Sequence, residues 1–282
     1  LENGWLHLKG TTDALADQTF ADFTLQLHPA SPSTVQVDNL TLDPVSLDDP
    51  VPAAIPDGNV AIELETIATG LSSPLDMVDP DDGTGRLLVV DQIGSVFIIK
   101  DGTLLSQPFL DVSGRLVSLN SGFDERGLLG VALHPGFTDP NSPGYKTLYT
   151  YTSEPADMTA DFTTDPAPDS VDHQSVIAEW LVDMNDPNVV DVNSRRELMR
   201  IDQPQFNHDG GMLVFGPKDF LYIALGDGGG ANDTGDGHGE VGNGQNINTV
   251  HGSILRIDPL DPSLTAGSGN PISANGQYRI PS

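Results

Sequence analysis

The 282-residue sequence predicts an all-β protein built mainly from a series of small antiparallel sheets of about four strands each. Three observations carry this. Apolar and polar residues alternate over short runs such as SVFIIK and LYIAL, which is the period of a strand and not of a helix. Turn residues punctuate the chain throughout, with 30 Gly and 22 Pro, too often for long helices to develop. Of the 41 acidic residues 33 are Asp, a side chain suited to turns and hard-cation ligation, where a helix-rich acidic protein would favour Glu.

In chain order, residues 1–45 form the first unit. TFADFTLQLH (19–28) and STVQVDNLTLD (33–43) alternate around the Pro-Ser turn at 29–32. The ending VQVDNLTLDPV resembles the last strand of jelly-roll carbohydrate-binding and related β-sandwich modules. About three strands are present where such a sandwich needs about eight. The unit is therefore expected to be the C-terminal part of a β-sandwich module, with a short β extension packed on the next domain as the alternative. A polysaccharide is the partner such a module would take. Residues 46–60 carry Pro50, Pro52 and Pro56 among aspartates and predict an extended, solvated linker.

From residue 61 to 282 the pattern strand, turn, strand falls into three groups. The first holds AIELETIA (61–68), LDMVD (75–79), RLLVVDQ (86–92) and SVFIIK (95–100). The second holds GVALHP, TLYTYT, SVIAEWLVD and RRELMRID, ending near residue 202, and the third runs from MLVF and LYIAL to SILRID, ending near 258. Each group has the size of a propeller blade, although the spacing is too irregular for a sequence repeat.

Composition excludes several classes. Lys and Arg number 12 and the formal net charge is −29, which makes nucleic acid and anionic membrane surfaces poor partners. The absence of Cys excludes disulfide scaffolds, thiolate zinc sites and cysteine nucleophiles. No run approaches the roughly 18 apolar residues of a membrane span. The sequence starts at Leu1 without the charged and apolar regions of a signal peptide, so any export signal is expected to be already missing.

The most informative stretch is FNHDGGMLVFGPKDFLYIALGDGGG (206–230). His208 stands just ahead of one strand and Asp227 just after the next, and Gly216-Pro217-Lys218-Asp219 is the turn between them. If the two strands pair as a hairpin, His208 and Asp227 fall at the same end. Asp227 would then accept from one ring nitrogen and leave the other free as a base. The plainer alternative is a His that caps a strand end and an Asp that binds turn amides. The loop at 226–246 is too glycine-rich for a core and too long for a simple hairpin connection. Its Asp227, Asn232, Asp233, Asp236 and Glu240 offer oxygen ligands, which favour calcium over zinc or copper, with a solvated loop as the alternative. Phosphate binding is not expected, since neither GKS/T nor a strand-coupled GxGxxG occurs.

FDERGLLGVALHPGF (123–137), NHDGGMLVFGPKDFLYIALGDGGG (207–230) and GNGQNINTVHGSILRID (242–258) stand in the order and spacing of the glucose/sorbosone dehydrogenase family, which the chain resembles from about residue 65 onward. That family includes soluble quinoprotein sugar dehydrogenases and Hedgehog-interacting-protein-like proteins. The resemblance implies a six-bladed β-propeller of which 61–282 would supply about three blades, with 271–282 leading into the fourth. A half ring would expose sheet faces, so the sequence reads as part of a longer protein, or as one of two chains completing a ring. The resemblance also implies a secreted aldose dehydrogenase using pyrroloquinoline quinone and calcium. His208 would be the base that removes a sugar hydroxyl proton as hydride passes to the quinone, with Asp227 fixing its tautomer. Asn207, Gly210 and Gly211 would lie against the cofactor. One departure stands out. Quinone-dependent members typically carry a glutamine ahead of the Gly-Leu-Leu-Gly element, where this chain has Asp124-Glu125-Arg126, closer to the Hedgehog-interacting-protein-like branch. Glu125 and Arg126 are expected either to meet the cofactor or to brace the blade entrance as an ion pair. The alternative function is a non-catalytic extracellular binding or adhesion propeller, or a structural part of a large cell-surface or filament protein.

Overall fold

The computed structural model describes residues 65–282. The expected sandwich unit at 1–45 and linker at 46–60 lie outside the described residues. Residues 65–282 are β structure with three single-turn 3₁₀ helices, and no helix among them is long and apolar enough to cross a membrane.

The first sheet runs β1 (Pro74–Val78), β2 (Leu87–Asp91), β3 (Ser95–Lys100) and β4 (Thr103–Leu104) in that order, with β5 (Leu110–Asp111) also paired to β3. The second runs β6 (Leu128–Leu133), β7 (Thr147–Glu154), β8 (His173–Val182) and β9 (Val190–Gln203). The third runs β10 (Gly210–Phe215), β11 (Leu221–Leu225) and β12 (Ile254–Ile257). Along each path neighbours in sequence pair antiparallel, so every sheet is a meander, as the alternating runs and turns require. Two expectations need correction. The described part of AIELETIA forms no strand; the chain there leads to Ser72 and Ser73, whose amides donate to the Asp91 carboxylate at 2.7 and 3.0 Å, and pairing begins only at Pro74. The third sheet has three strands where about four were expected.

The first strands of successive sheets pack side by side, β1 against β6 and β6 against β10, as the inner strands of neighbouring propeller blades do. The second sheet is thus covered on both faces, and the period of two along its strands divides its side chains between two cores. Leu148, Ala178 and Trp180 join Leu88, Val90, Ile98, Phe109 and Val131 in one cluster. Tyr149, Tyr151, Ile177 and Met199 join Leu213, Ile223 and Ile257 in the other. This explains why all eight residues of β7 are buried, polar ones included. Thr150 is tolerated there because its hydroxyl accepts from the indole N–H of Trp180 at 2.9 Å.

Candidate functional site

The hairpin β10–β11 forms, with Gly210 opposite Leu225, and this places His208 and Asp227 at the same end of the third sheet. His208 Nδ1 lies 2.9 Å from Asp227 Oδ1, which also accepts from the Gly229 amide at 3.1 Å. A carboxylate only accepts, so the facing ring nitrogen carries the hydrogen and, in the neutral imidazole, Nε2 presents its lone pair. The His208 side chain is 41% exposed, against 24% for Asp227, and no hydrogen bond engages Nε2 among the described residues. The arrangement can take a proton from a bound hydroxyl at Nε2 and share the resulting charge with Asp227.

The same edge receives the residues ahead of β6. Glu125 Oε2 accepts from the backbone N–H of His208 at 2.5 Å. Arg126 does not pair with Glu125, so the expected brace is not formed. Its guanidinium bonds both carboxylate oxygens of Asp124 at 2.9 and 2.7 Å and reaches Asp172 Oδ1 at 3.1 Å, across one face of Phe206. Those bonds engage the guanidinium within the protein.

Gly210 and Gly211 lie at the head of β10 with φ of +78° and +116°. Gly210 leaves room for the protein's own backbone and Gly211 for the Leu129 side chain. A Cβ at Gly210 would come within 2.6 Å of the Ala224 carbonyl oxygen, one at Gly211 within 2.4 Å of Leu129 Cβ, and one at Gly130 within 2.1 Å of the Gly211 carbonyl oxygen. Asn207 is half-buried beside the loop that follows β11, where a Cβ at Gly229 would meet its Oδ1 at 2.8 Å.

The loop carboxylates proposed as calcium ligands are not brought together. Asp233 accepts the amides of Asn243 and Gly244 at 2.7 and 2.9 Å, Asp236 accepts that of Asp169 at 2.8 Å, Asp227 serves His208, and Asn232 and Glu240 are exposed. Among the described residues no three His, Cys, Asp or Glu side chains converge as a metal site.

Sequence reasoning missed three residues. Asp209 is 1% exposed, with both carboxylate oxygens free of hydrogen bonds among the described residues. Burial, reinforced by the nearby charge of Glu125, pushes its carboxyl up to about 8. His173 Nε2 stands 3.4 Å from Asp209 Oδ1, while its Nδ1 bonds Asp172 at 2.9 Å; burial lowers the imidazole pKa. Asn243 is buried and donates to the carbonyls of Asp227 and Gly237 at 2.8 and 3.1 Å, tying the long loop to the site. Asp209 and Asn243 stand inside the quoted motifs, but nothing local in the sequence reports their burial.

Residues 71–280 match the profile of the glucose / sorbosone dehydrogenase family. The chain belongs to that family. As a member of it, the chain is 32% identical to Hedgehog-interacting protein of Mus musculus over 196 residues, covering 69% of this chain and 25% of that protein. The HIPL1 protein of Arabidopsis thaliana is 31% identical over 272 aligned residues, 85% of this chain and 36% of that one. The chain thus spans about a quarter to a third of the curated relatives it matches. Among solved structures, the soluble aldose sugar dehydrogenase of Escherichia coli is similar at 21% identity and a TM-score of 0.47, over 74% of this chain and 52% of that one. The quoted stretches meet at one edge of the fold, where NHDGG supplies His208 and GDGGG supplies Asp227.

Proposed function

We propose that this chain forms part of an extracellular or periplasmic sugar dehydrogenase, in which His208 accepts the proton of a sugar hydroxyl while Asp227 holds the imidazole. The observation that carries the reading is the 2.9 Å contact from His208 Nδ1 to Asp227 Oδ1, with the opposite ring nitrogen open. An imidazole so held keeps one tautomer and loses little orientation on protonation, the two conditions for a general base.

The family resemblance implies pyrroloquinoline quinone as hydride acceptor. The described residues at this edge do not fit that group, which carries carboxylates of its own. Glu125 and Asp227 add negative charge, and the Arg126 guanidinium is bonded to Asp124 and Asp172. No reaction step is therefore assigned through the quinone or through calcium; the step assigned to these residues is proton transfer from the hydroxyl.

Glu125 favours a second reading, an extracellular binding module, since an acidic group beside His208 suits a hydroxyl-rich or cationic partner better than an anionic cofactor. The experiment that separates the two uses the full-length protein with a panel of aldoses and an artificial electron acceptor. Sugar-dependent reduction of the acceptor supports the dehydrogenase. Saturable sugar or polysaccharide binding without reduction supports the binding module.

A further inference from the structure

The Glu125 contact with His208 joins residues 83 positions apart. Glu125 ends the loop into β6, and His208 ends the loop into β10. These strands belong to different sheets and pack directly, with Gly130 and Gly211 allowing their backbones to approach. The lead-in loops therefore meet at one edge. His208 sits there with φ of +58°, in the left-handed region that a histidine adopts only when its surroundings hold it. Its amide points across the sheet boundary, and Glu125 is what it meets. Arg126 is occupied elsewhere, so the Glu125 carboxylate is held by this amide, and among the described residues its side chain makes no other hydrogen bond.

We infer that Glu125 is a positioning residue for the His208 imidazole: its carboxylate fixes the His208 backbone from the neighbouring sheet and so sets the direction in which Nε2 faces a substrate. The imidazole is then held at two points, the main chain by Glu125 and Nδ1 by Asp227. The inference rests on His208 being the functional imidazole.

The test is hydrogen exchange by NMR on the full-length protein, following the His208 backbone amide and its Nδ1–H, with buried β7 amides as the folding control. A hydrogen bond to a charged acceptor is strong enough that its loss in Glu125→Ala should speed exchange of the His208 amide by about tenfold or more. The same variant should lose the Nδ1–H signal, and Glu125→Asp, too short to reach, should behave alike. Glu125→Gln keeps an accepting oxygen and should restore most of the protection. Unchanged His208 exchange in both Glu125→Ala and Glu125→Asp, with the β7 control intact, overturns the inference. Absence of sugar oxidation alongside the expected exchange pattern supports the positioning and refutes only the proton-acceptor reading.

Discussion

His173 Nε2 and Asp209 Oδ1 stand 3.4 Å apart inside the protein, and among the described residues neither atom has another hydrogen-bond partner. One proton between them makes the pair neutral, which is the state a buried site prefers. Asp209 is raised from an ordinary 3.8 to about 8 by burial and then by Glu125, so the folded state binds this proton where the unfolded state has released it. The sign follows from linkage. Below about 4 both states are protonated and the group contributes nothing; as pH rises from about 4 to about 8 it subtracts stability, by on the order of 1 kcal/mol per unit. Asp209→Asn, which stays neutral, should melt at a higher temperature than wild type at pH 8 and close to it at pH 4. Thermal unfolding at the two pH values checks this, and an equal difference at both would contradict it.

The approach of β6 to β10 depends on two glycines. Gly130→Ala would drive a Cβ to 2.1 Å from the Gly211 carbonyl oxygen, a clash with backbone that no side-chain rotation relieves. We expect a loss of about 2–4 kcal/mol, the upper range of overpacking. Gly267→Ala, where nothing lies within 4 Å, should change stability by less than about 0.5 kcal/mol. Urea denaturation of both variants gives the comparison.

The long loop after β11 is ordered by its own carboxylates and by Asn243. Removing metal should therefore leave it in place: a calcium chelator should not change hydrogen exchange across residues 227–244. Asn243→Ala, which frees the carbonyls of Asp227 and Gly237, should raise exchange in that segment and reach His208 through Asp227.

How much of this was legible in the sequence follows from the range of each interaction. Strands such as TLYTYT and LYIAL announce themselves because alternation is local, and the Gly216–Asp219 turn sets the hairpin that joins His208 to Asp227. The contact of Glu125 with His208 spans 83 residues and two sheets, and nothing near either residue encodes it. Arg126 stands beside Glu125 in sequence yet bonds Asp124 and Asp172, the second of them 46 residues away. From sequence the loop aspartates suit calcium, since carboxylate oxygens serve cations and backbone amides alike; only the fold shows amides within reach. Asp209 reads as one more acidic turn residue, and its burial arises where the lead-in to β10 meets Tyr151 of β7, whose hydroxyl donates to the Asp209 carbonyl at 2.8 Å, and His173 at the start of β8.

The role proposed for His208, oriented by Asp227, is to accept a proton from a sugar hydroxyl. The most direct measurement is steady-state sugar oxidation by the full-length protein with an artificial electron acceptor, comparing wild type with His208→Ala and Asp227→Asn. Wild type should oxidise at least one aldose, His208→Ala should lower kcat by about 10²–10⁴-fold, and Asp227→Asn should lower it less, with both variants folded. Oxidation at the wild-type rate by His208→Ala, or none by wild type with any aldose, would contradict it.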